Sequence, residues 1–193
     1  MKPNLKQLTI SKVLGLAGLL AISATTVQAA LWQGGTASYN NTANWDNGLI
    51  PSAANTGNAI NRSGSNNVVQ VNPGDPNWTL GNQDVLLGDV GNSSGAYYQD
   101  GPTVTLNFWF RMGLGGGTSA GYATVNSGTL NIGGQLNVSE GGPSVFNNTN
   151  TGVVTAGGEC WIGNGGGSGP GTGNGSGNGG NGPGYGCYGG GNG

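Results

Sequence analysis

The chain offers few side chains that could do acid–base, nucleophilic or metal chemistry. Its 193 residues include Lys+Arg 5 and Asp+Glu 7 but no His. Without His there can be no Ser-His-Asp triad and no His-ligated zinc site. Downstream of Leu31 the basic residues are Arg62 and Arg111, which are too few to neutralise a nucleic-acid backbone. The composition therefore predicts no catalytic residues, no cofactor and no nucleic-acid partner.

One polar column could still bind a ligand. When the chain is aligned with itself at an offset of 27 and then of 24 residues, four polar residues fall in one column: Asp84, Arg111, Gln135 and Glu159. Each of them directly precedes a residue that is predicted to face inward from a strand. If the aligned segments are stacked coils of one β-structure, neighbouring strands lie about 4.8 Å apart, which places Asp84 and Arg111 within ion-pair reach. Such a column could handle an acidic sugar in a lyase-like or hydrolase-like site, or form only a solvated cross-strand pair. Glycosidase carboxylates stand roughly 5–9.5 Å apart, whereas Asp84 and Glu159 are predicted three coils and about 14 Å apart.

A second outward column centres on Trp161. The same register places it beside Leu86, Gly113 and Asn137, so its ring is expected to be exposed. A tryptophan face with polar neighbours suits sugar stacking. The predicted glycan platform consists of Trp161, Asn137, Arg111 and Asp84. Large rings cover area efficiently, so the other tryptophans are expected mainly to seal coil ends and corners: Trp32, Trp45, Trp78 and Trp109.

Cysteine and acidic residues give no clear metal site. Cys160 and Cys187 could form one disulfide that closes a loop of about 27 residues outside the cytoplasm. Two cysteines cannot supply a four-ligand structural zinc site, and a catalytic thiol needs a base such as His. Asp84, Asp89 and Asp100 could share a calcium ion, but they lack a recognisable ligand spacing. We therefore predict no metal site.

An internal repeat must position these residues. Residues 128–142 align with residues 152–166 at an offset of 24 without a gap, and the same step backwards reaches residues 104–117. Apolar and polar residues alternate within each copy, as in half-buried strands, and Gly-Gly pairs mark the corners. Weaker strands are predicted at 122–126 and 144–148. The predicted inward columns are Leu106/Leu130/Val154, Phe108/Ile132/Ala156, Met112/Leu136/Cys160 and Leu114/Val138/Ile162.

This repeat predicts a β-solenoid. Three short strands and three corners in about 24 residues describe one coil, and stacked coils share a continuous core. An antiparallel β-sandwich is the alternative, but it gives no reason for columns to match at a fixed offset. The sequence thus predicts an all-β fold: a short parallel β-solenoid (β-helix) of about four coils with an N-terminal cap and a disordered Gly-rich tail.

The first 29 residues have the pattern of a signal peptide. A basic segment to Lys12 precedes an apolar run at 13–24, and small or apolar residues lead to a cleavage site after Ala29. The run is shorter than the ~20 residues of a membrane-spanning helix, so the mature protein is not expected to span a membrane. The predicted divisions are a signal peptide at 1–29, a cap region at 30–66, solenoid repeats at 67–166 and a Gly/Asn-rich low-complexity tail at 167–193.

The body also resembles a known class of proteins. It opens with Trp-x-Gly-Gly at Trp32 and Asn-Trp-x-x-Gly-x-x-Pro at Asn44, followed by Gly-x-Leu-x-x-Gly-Gly-x-Leu-x-Val coils. These motifs resemble large exported β-helix proteins of environmental bacteria, which carry autotransporter-associated β-strand repeats or end in a PEP-CTERM sorting signal. The resemblance implies a surface or matrix component or an adhesin. No Pro-Glu-Pro motif occurs near Gly193, so sorting by that route is not expected.

These observations favour an exported structural or interaction protein over an enzyme. We expect an adhesin-like component of the cell surface or extracellular matrix, secreted or surface-bound, whose partners are further copies joined end to end or surface glycans. A carbohydrate-binding module is the first alternative. A β-helix polysaccharide lyase or hydrolase is the second, and it would require charged residues clustered on one face.

Overall fold

The computed structural model describes residues 29–54, 57–163, 171–175 and 187–189. Within these residues the chain is all-β: one 3-10 helix, η1 (Thr42–Asn44), is present and no α-helix is. The predicted signal peptide lies outside the described residues apart from Ala29, and most of the predicted tail lies outside them as well.

The strands are short, as expected for coils that turn every few residues. In chain order they are β1 (Ala30–Leu31), β2 (Ala37–Ser38), β3 (Ala59–Asn61), β4 (Ser63–Val71), β5 (Trp78–Leu80), β6 (Val85–Leu87), β7 (Ser94–Asp100), β8 (Val104–Leu106), β9 (Phe110–Met112), β10 (Ala120–Ser127), β11 (Thr129–Ile132), β12 (Leu136–Val138), β13 (Ser144–Asn148), β14 (Val153–Ala156), β15 (Cys160–Ile162), β16 (Gly171–Gly175) and β17 (Cys187–Gly189).

The strands form three parallel sheets that wind around one core. Sheet I has the order β1-β3-β6-β9-β12-β15-β17, sheet II the order β2-β4-β7-β10-β13-β16, and sheet III the order β5-β8-β11-β14. Consecutive strands of the chain visit the sheets in turn, which is the path of a solenoid. The prediction of a parallel β-solenoid is confirmed, with about five turns. The count exceeds the predicted four because strands at the end of the predicted cap region already belong to a coil: β3 pairs with β6, and β4 pairs with β7.

The register differs from the predicted one in the middle coils. Leu136 lies opposite Cys160, at the predicted step of 24, but Leu106 lies opposite Ile132, a step of 26. The cause is the connection between β9 and β10, residues 113–119, which is longer than the equivalent connection at 139–143. Phe108, which was predicted to face inward, is 43% exposed, so that prediction is wrong. Leu114 lies in the 113–119 connection and is half-buried.

The core is a set of stacked apolar columns. Leu80, Leu106 and Ile132 lie opposite one another in sheet III, and none is more than 2% exposed. Burying apolar area in this way contributes roughly 25 cal/mol per Å². One amide of sheet II, that of Gln99 in β7, is also fully buried, at 0% exposure. It accepts from the Tyr97 hydroxyl at 2.7 Å and donates to backbone carbonyls at Pro102 and Thr129, so its burial leaves no amide atom unpaired.

An aromatic cluster closes the N-terminal end of the core. Trp32 meets Trp45 edge to face at 5.0 Å between ring centroids, and Tyr39 stacks on Trp78 at 4.5 Å. The three indole N–H groups donate to backbone carbonyls at Gly35, Tyr39 and Pro51. Burial, with a contribution from Asp75, raises the pKa of Tyr39 to about 12. The phenol therefore stays neutral and donates to the carbonyl of Pro76.

The segment 39–53, named here the cap segment, also bonds to the first strand of every sheet. Asp46 N–H donates to Leu31 O at 2.9 Å in β1, and the Asn44 amide donates to Ser38 O at 2.9 Å in β2. In β5, Thr79 O accepts from Ala53 N–H at 3.1 Å. A strand edge that already has a partner cannot recruit another chain, so the cap segment protects this end.

Candidate functional site

The four residues of the predicted glycan platform come together on the outer face of sheet I. Arg111, Asn137 and Trp161 lie opposite one another on β9, β12 and β15. The Asp84 carboxylate approaches the Arg111 guanidinium to 3.6 Å. Arg111 stands where the sequence predicted Gly113, next to Leu86. The prediction that Arg111 belongs to the column of Asp84 was therefore wrong.

The Asp84 column instead continues through Trp109. Val85 lies opposite Phe110, so the residues that precede them stand side by side. Trp109 N–H donates to Asp84 Oδ1 at 3.2 Å. The next members of this column are Gln135 and Glu159, as predicted.

Arg111 is held by Glu140, a residue that the sequence reasoning missed. The Nε atom of Arg111 donates to Glu140 Oε2 at 2.7 Å, and Nη2 donates to the second oxygen of the same carboxylate. The guanidinium also lies over the Trp109 ring, 5.1 Å from its centroid. A partly buried Arg requires a carboxylate partner, and Glu140 is the next acid along the chain. With its fork occupied, Arg111 offers no free bidentate face to an acidic sugar.

The Asp84 side chain is buried, and its surroundings change its pKa. Burial raises its pKa, against the lowering effects of the Trp109 N–H and of Arg111, and the nearby Glu140 charge raises it further. A raised carboxyl pKa is a property of general acids. Here, however, both oxygens are already occupied: Oδ1 by Trp109 N–H and Oδ2 by the Arg111 ion pair.

Trp161 and its neighbours bond to one another. The Trp161 indole donates to Glu159 Oε2 at 2.8 Å, and Gln135 donates to the same oxygen at 3.3 Å. Trp161 is half-buried rather than exposed, and Asn137 is only 3% exposed. The platform residues thus lie together, but Asp84, Arg111 and Trp161 bond to neighbouring side chains or backbone of the fold, and the Asn137 Oδ1 atom is buried without a hydrogen-bond partner.

Comparison with protein-family models, curated proteins and solved structures finds no match for this chain.

No metal or membrane site is found within the described part of the chain. None of its His, Cys, Asp or Glu side chains forms a group of three or more that could hold an ion. Asp89 pairs with Arg62 at 2.9 Å, and Asp100 accepts from Asn126 and Ser127. The calcium alternative therefore gains no support. The same residues include no helix long and apolar enough to cross a bilayer.

A small cavity lies inside the coils beneath the cap. Its volume is about 10 Å³, and it is lined by apolar residues together with Asn61. This is close to the smallest space that holds one water molecule, so the cavity does not accommodate an organic ligand.

Cys160 is disulfide-bonded. It lies opposite Cys187, the chain's other cysteine, in the pairing of β15 with β17. Adjacent strands lie about 4.8 Å apart, which is within the Cα separation that a disulfide tolerates.

Every Asp and Glu side chain has a partner inside the fold. Each accepts at least one hydrogen bond or ion pair from another residue; they are Asp46, Asp75, Asp84, Asp89, Asp100, Glu140 and Glu159. Most of these bonds join neighbouring coils, as do neutral pairs such as Thr155 with Asn131 at 2.9 Å. The polar side chains therefore stitch one coil to the next.

Two of these carboxylates should give stability profiles of opposite sign with pH. Burial raises the pKa of Asp84, so its contribution to the free energy of unfolding is greatest below about pH 4 and falls as pH rises through the folded pKa. Hydrogen bonds from Ser127 and Asn126 lower the pKa of Asp100. Its contribution is present above about pH 4 and is lost as pH falls through the folded pKa.

Urea unfolding of Asp84→Asn and Asp100→Asn between about pH 3 and pH 7 tests this pair. The free energy of unfolding of Asp84→Asn, measured relative to that of the wild type, should increase as pH rises. The stability deficit of Asp100→Asn should be full at neutral pH and shrink in acid. Curves that run parallel to the wild-type curve for both variants would contradict the assignment.

Proposed function

We propose that this protein is an exported structural component of the cell surface or extracellular matrix, with an adhesin-like role and no catalytic activity. One observation carries the proposal: all seven Asp and Glu side chains, together with Arg62 and Arg111, are engaged within the fold. A hydrolase or lyase keeps a poised acid or base that faces substrate. Here the same residue types hold coils together, which is what a mechanical scaffold requires.

Two features support export. The first strand begins at Ala30, directly after the predicted cleavage site, and Ala30 is buried at 2% exposure. Removal of residues 1–29 would therefore leave the folded strand intact. The disulfide at Cys160 also suits an oxidising compartment outside the cytoplasm.

The cap segment bears on self-assembly. In the described part of the chain, the first strand of each sheet accepts a hydrogen bond from the cap segment. We therefore propose that self-association does not use the N-terminal end, so copies of the chain meet through other surfaces of the solenoid.

Export is tested by expressing the full chain with a C-terminal tag in a secretion-competent bacterium. Mass spectrometry should find Ala30 at the N-terminus of the tagged product, and the product should be recovered outside the cytoplasm. A matched variant with Leu16→Arg and Leu19→Arg interrupts the apolar run and should remain cytoplasmic with Met1 or Lys2 at its start. Wild-type protein that keeps residues 1–29 and stays in the cytoplasm would contradict the proposal.

The absence of catalysis is tested separately on the secreted protein. Incubation with neutral and acidic polysaccharides should release no more reducing ends or unsaturated products than buffer does. Release that disappears in Asp84→Asn but persists in Asp100→Asn would establish the lyase or hydrolase alternative instead.

A further inference from the structure

An exposed aromatic ring stands at the corner between β8 and β9. Phe108 is 43% exposed, although the sequence predicted it in the core. Its ring stacks on Trp109 with 5.2 Å between centroids and 4° between planes. Exposing so large an apolar surface costs free energy that folding could have recovered by burial, so the ring is a candidate contact for a ligand.

Trp109 gives this ring a rigid base. Its backbone N–H donates to Asp84 at 3.2 Å, and the Arg111 guanidinium lies over its ring. Its indole edge fits against Gly134 of the next coil so closely that a Cβ there would lie 2.1 Å from the Trp109 Cδ1 atom. Phe108 is therefore presented in a fixed orientation, which reduces the entropy that a ligand would have to remove.

The corner continues as a strip without side chains. Gly133 and Gly134 occupy the equivalent corner of the next coil, and Gly157 with Gly158 occupies the one after. Backbone bonds join these corners directly, from Gly134 N–H to Phe108 O at 2.8 Å and from Gly158 N–H to Gly134 O at 2.9 Å. The Trp109 indole lies against Gly134 and the Gln135 side chain lies beside Gly158, so the open part of the strip is the exposed backbone at Gly133 and Gly157.

Neutral hydrogen-bonding groups border the strip. On the sheet III side, Thr105, Asn131 and Thr155 lie opposite one another on consecutive strands and are partly exposed. Asn107, next to Phe108, is exposed. The spacing between such groups is the strand separation of about 4.8 Å. Within this row the Thr155 hydroxyl donates to Asn131 Oδ1, and the other hydroxyl and amide groups suit a ligand that carries many hydroxyl groups.

We propose that this corner binds a neutral polysaccharide, whose chain lies along the glycine strip with one pyranose ring stacked on Phe108. An aromatic face matches the C–H face of a sugar ring, and the Thr and Asn row supplies hydrogen bonds to its hydroxyl groups. An acidic glycan is disfavoured because Arg111 is neutralised by Glu140 and Asp84.

A protein partner fits this surface poorly. Stable protein interfaces cover roughly 800 Å² on each partner and contain an apolar centre, whereas one exposed ring here has glycine and polar neighbours. The inference rests on the Phe108 corner alone, so it can fail while the export and scaffold proposal stands, and the reverse also holds.

The test uses the full chain as secreted and measures its retention by cellulose, chitin and soluble neutral glucans, with polygalacturonate as the acidic comparison. At least one neutral polysaccharide should retain the wild type, and Phe108→Ala should weaken that retention about tenfold. Phe108→Tyr should restore it. Tyr122→Ala removes an equally exposed ring (42%) from sheet II and should bind like the wild type.

Three outcomes would overturn the proposal: no retention by any neutral polysaccharide, unchanged retention in Phe108→Ala, or retention by polygalacturonate alone. Sedimentation of wild type and Phe108→Ala adds a fourth. A wild-type dimer that is lost in Phe108→Ala would show that a second copy of the chain, and not a polysaccharide, contacts this ring. Unchanged far-UV circular dichroism confirms that each variant is folded.

Discussion

Replacing Trp78 by Ala should lower the free energy of unfolding by about 3–5 kcal/mol and the melting temperature by roughly 10 °C. Trp78 is 3% exposed, stacks on Tyr39, and donates its indole N–H to Pro51 O at 2.6 Å. The substitution leaves a cavity under the cap and an unpaired carbonyl. It also loosens the segment that covers the edge of β5, because Ala53 bonds there. Thermal and urea unfolding measure the loss.

The matched control for this change is Phe108→Ala, which removes an aromatic ring of the exposed surface. Its effect on stability should stay within about 1 kcal/mol. Because the Trp78 substitution opens the N-terminal edges, the variant should also form oligomers at concentrations where the wild type remains monomeric. A Trp78→Ala protein as stable as Phe108→Ala would show that the aromatic cluster does not close the solenoid.

Replacing Gly128 by Ala should cost about 3 kcal/mol or more. Gly128 joins β10 to β11 with φ +78, and a Cβ at this position would lie 1.8 Å from the carbonyl oxygen of Gly101 in the preceding coil. The clash is with backbone, so no side chain can move aside to relieve it. The coils would have to separate at this corner, which breaks the pairing on either side.

Two other glycines separate the causes of that loss. Gly116 also has a positive φ, +72, but has nothing within 4 Å of its Cβ position, so Gly116→Ala should cost only about 1–2 kcal/mol. Gly35 has open space and no positive φ, and Gly35→Ala should be neutral or slightly stabilising. Urea unfolding of the three variants should rank them in this order. Equal losses at Gly128 and Gly116 would refute close packing between the coils.

The solenoid was predictable from sequence because its repeat is written in the spacing of residues. Residues 128–142 and 152–166 match without a gap, and the corresponding strands pair in that register. The aromatic seal was predictable too: Trp32, Trp45 and Trp78 are all buried at the capped end. Large rings in a region without its own repeat have few other places to pack.

The register of the middle coils was not predictable from the same pattern. A shift of one residue would turn every side chain to the opposite face, but a shift of two preserves the alternation. The apolar pattern therefore cannot distinguish a step of 24 from a step of 26. The two extra residues of the longer step lie in the loop at 113–119, and the length of this loop does not alter the apolar pattern of the strands. It moves Phe108 from the predicted core to the surface and places Arg111, not Gly113, beside Asn137.

The partners of the charged residues were equally hidden. Glu140 lies beyond β12, outside every predicted column, and its approach to Arg111 depends on how the two connections fold over sheet I. Sequence spacing identifies which residues share a strand face, but ion pairs formed from loops depend on backbone paths that no periodicity specifies.

Cysteine crosslinking between coils tests the central claim, that polar residues on consecutive coils stand in the described register and join the coils. With Cys160 and Cys187 both replaced by Ser, Thr105→Cys combined with Asn131→Cys should form a disulfide on mild oxidation, because these residues lie opposite each other on β8 and β11. Asn107→Cys with Asn131→Cys, separated by 24 residues, should remain reduced. Efficient crosslinking of the 107–131 pair, with none for the 105–131 pair, would contradict the register and the hydrogen bonds between coils that depend on it.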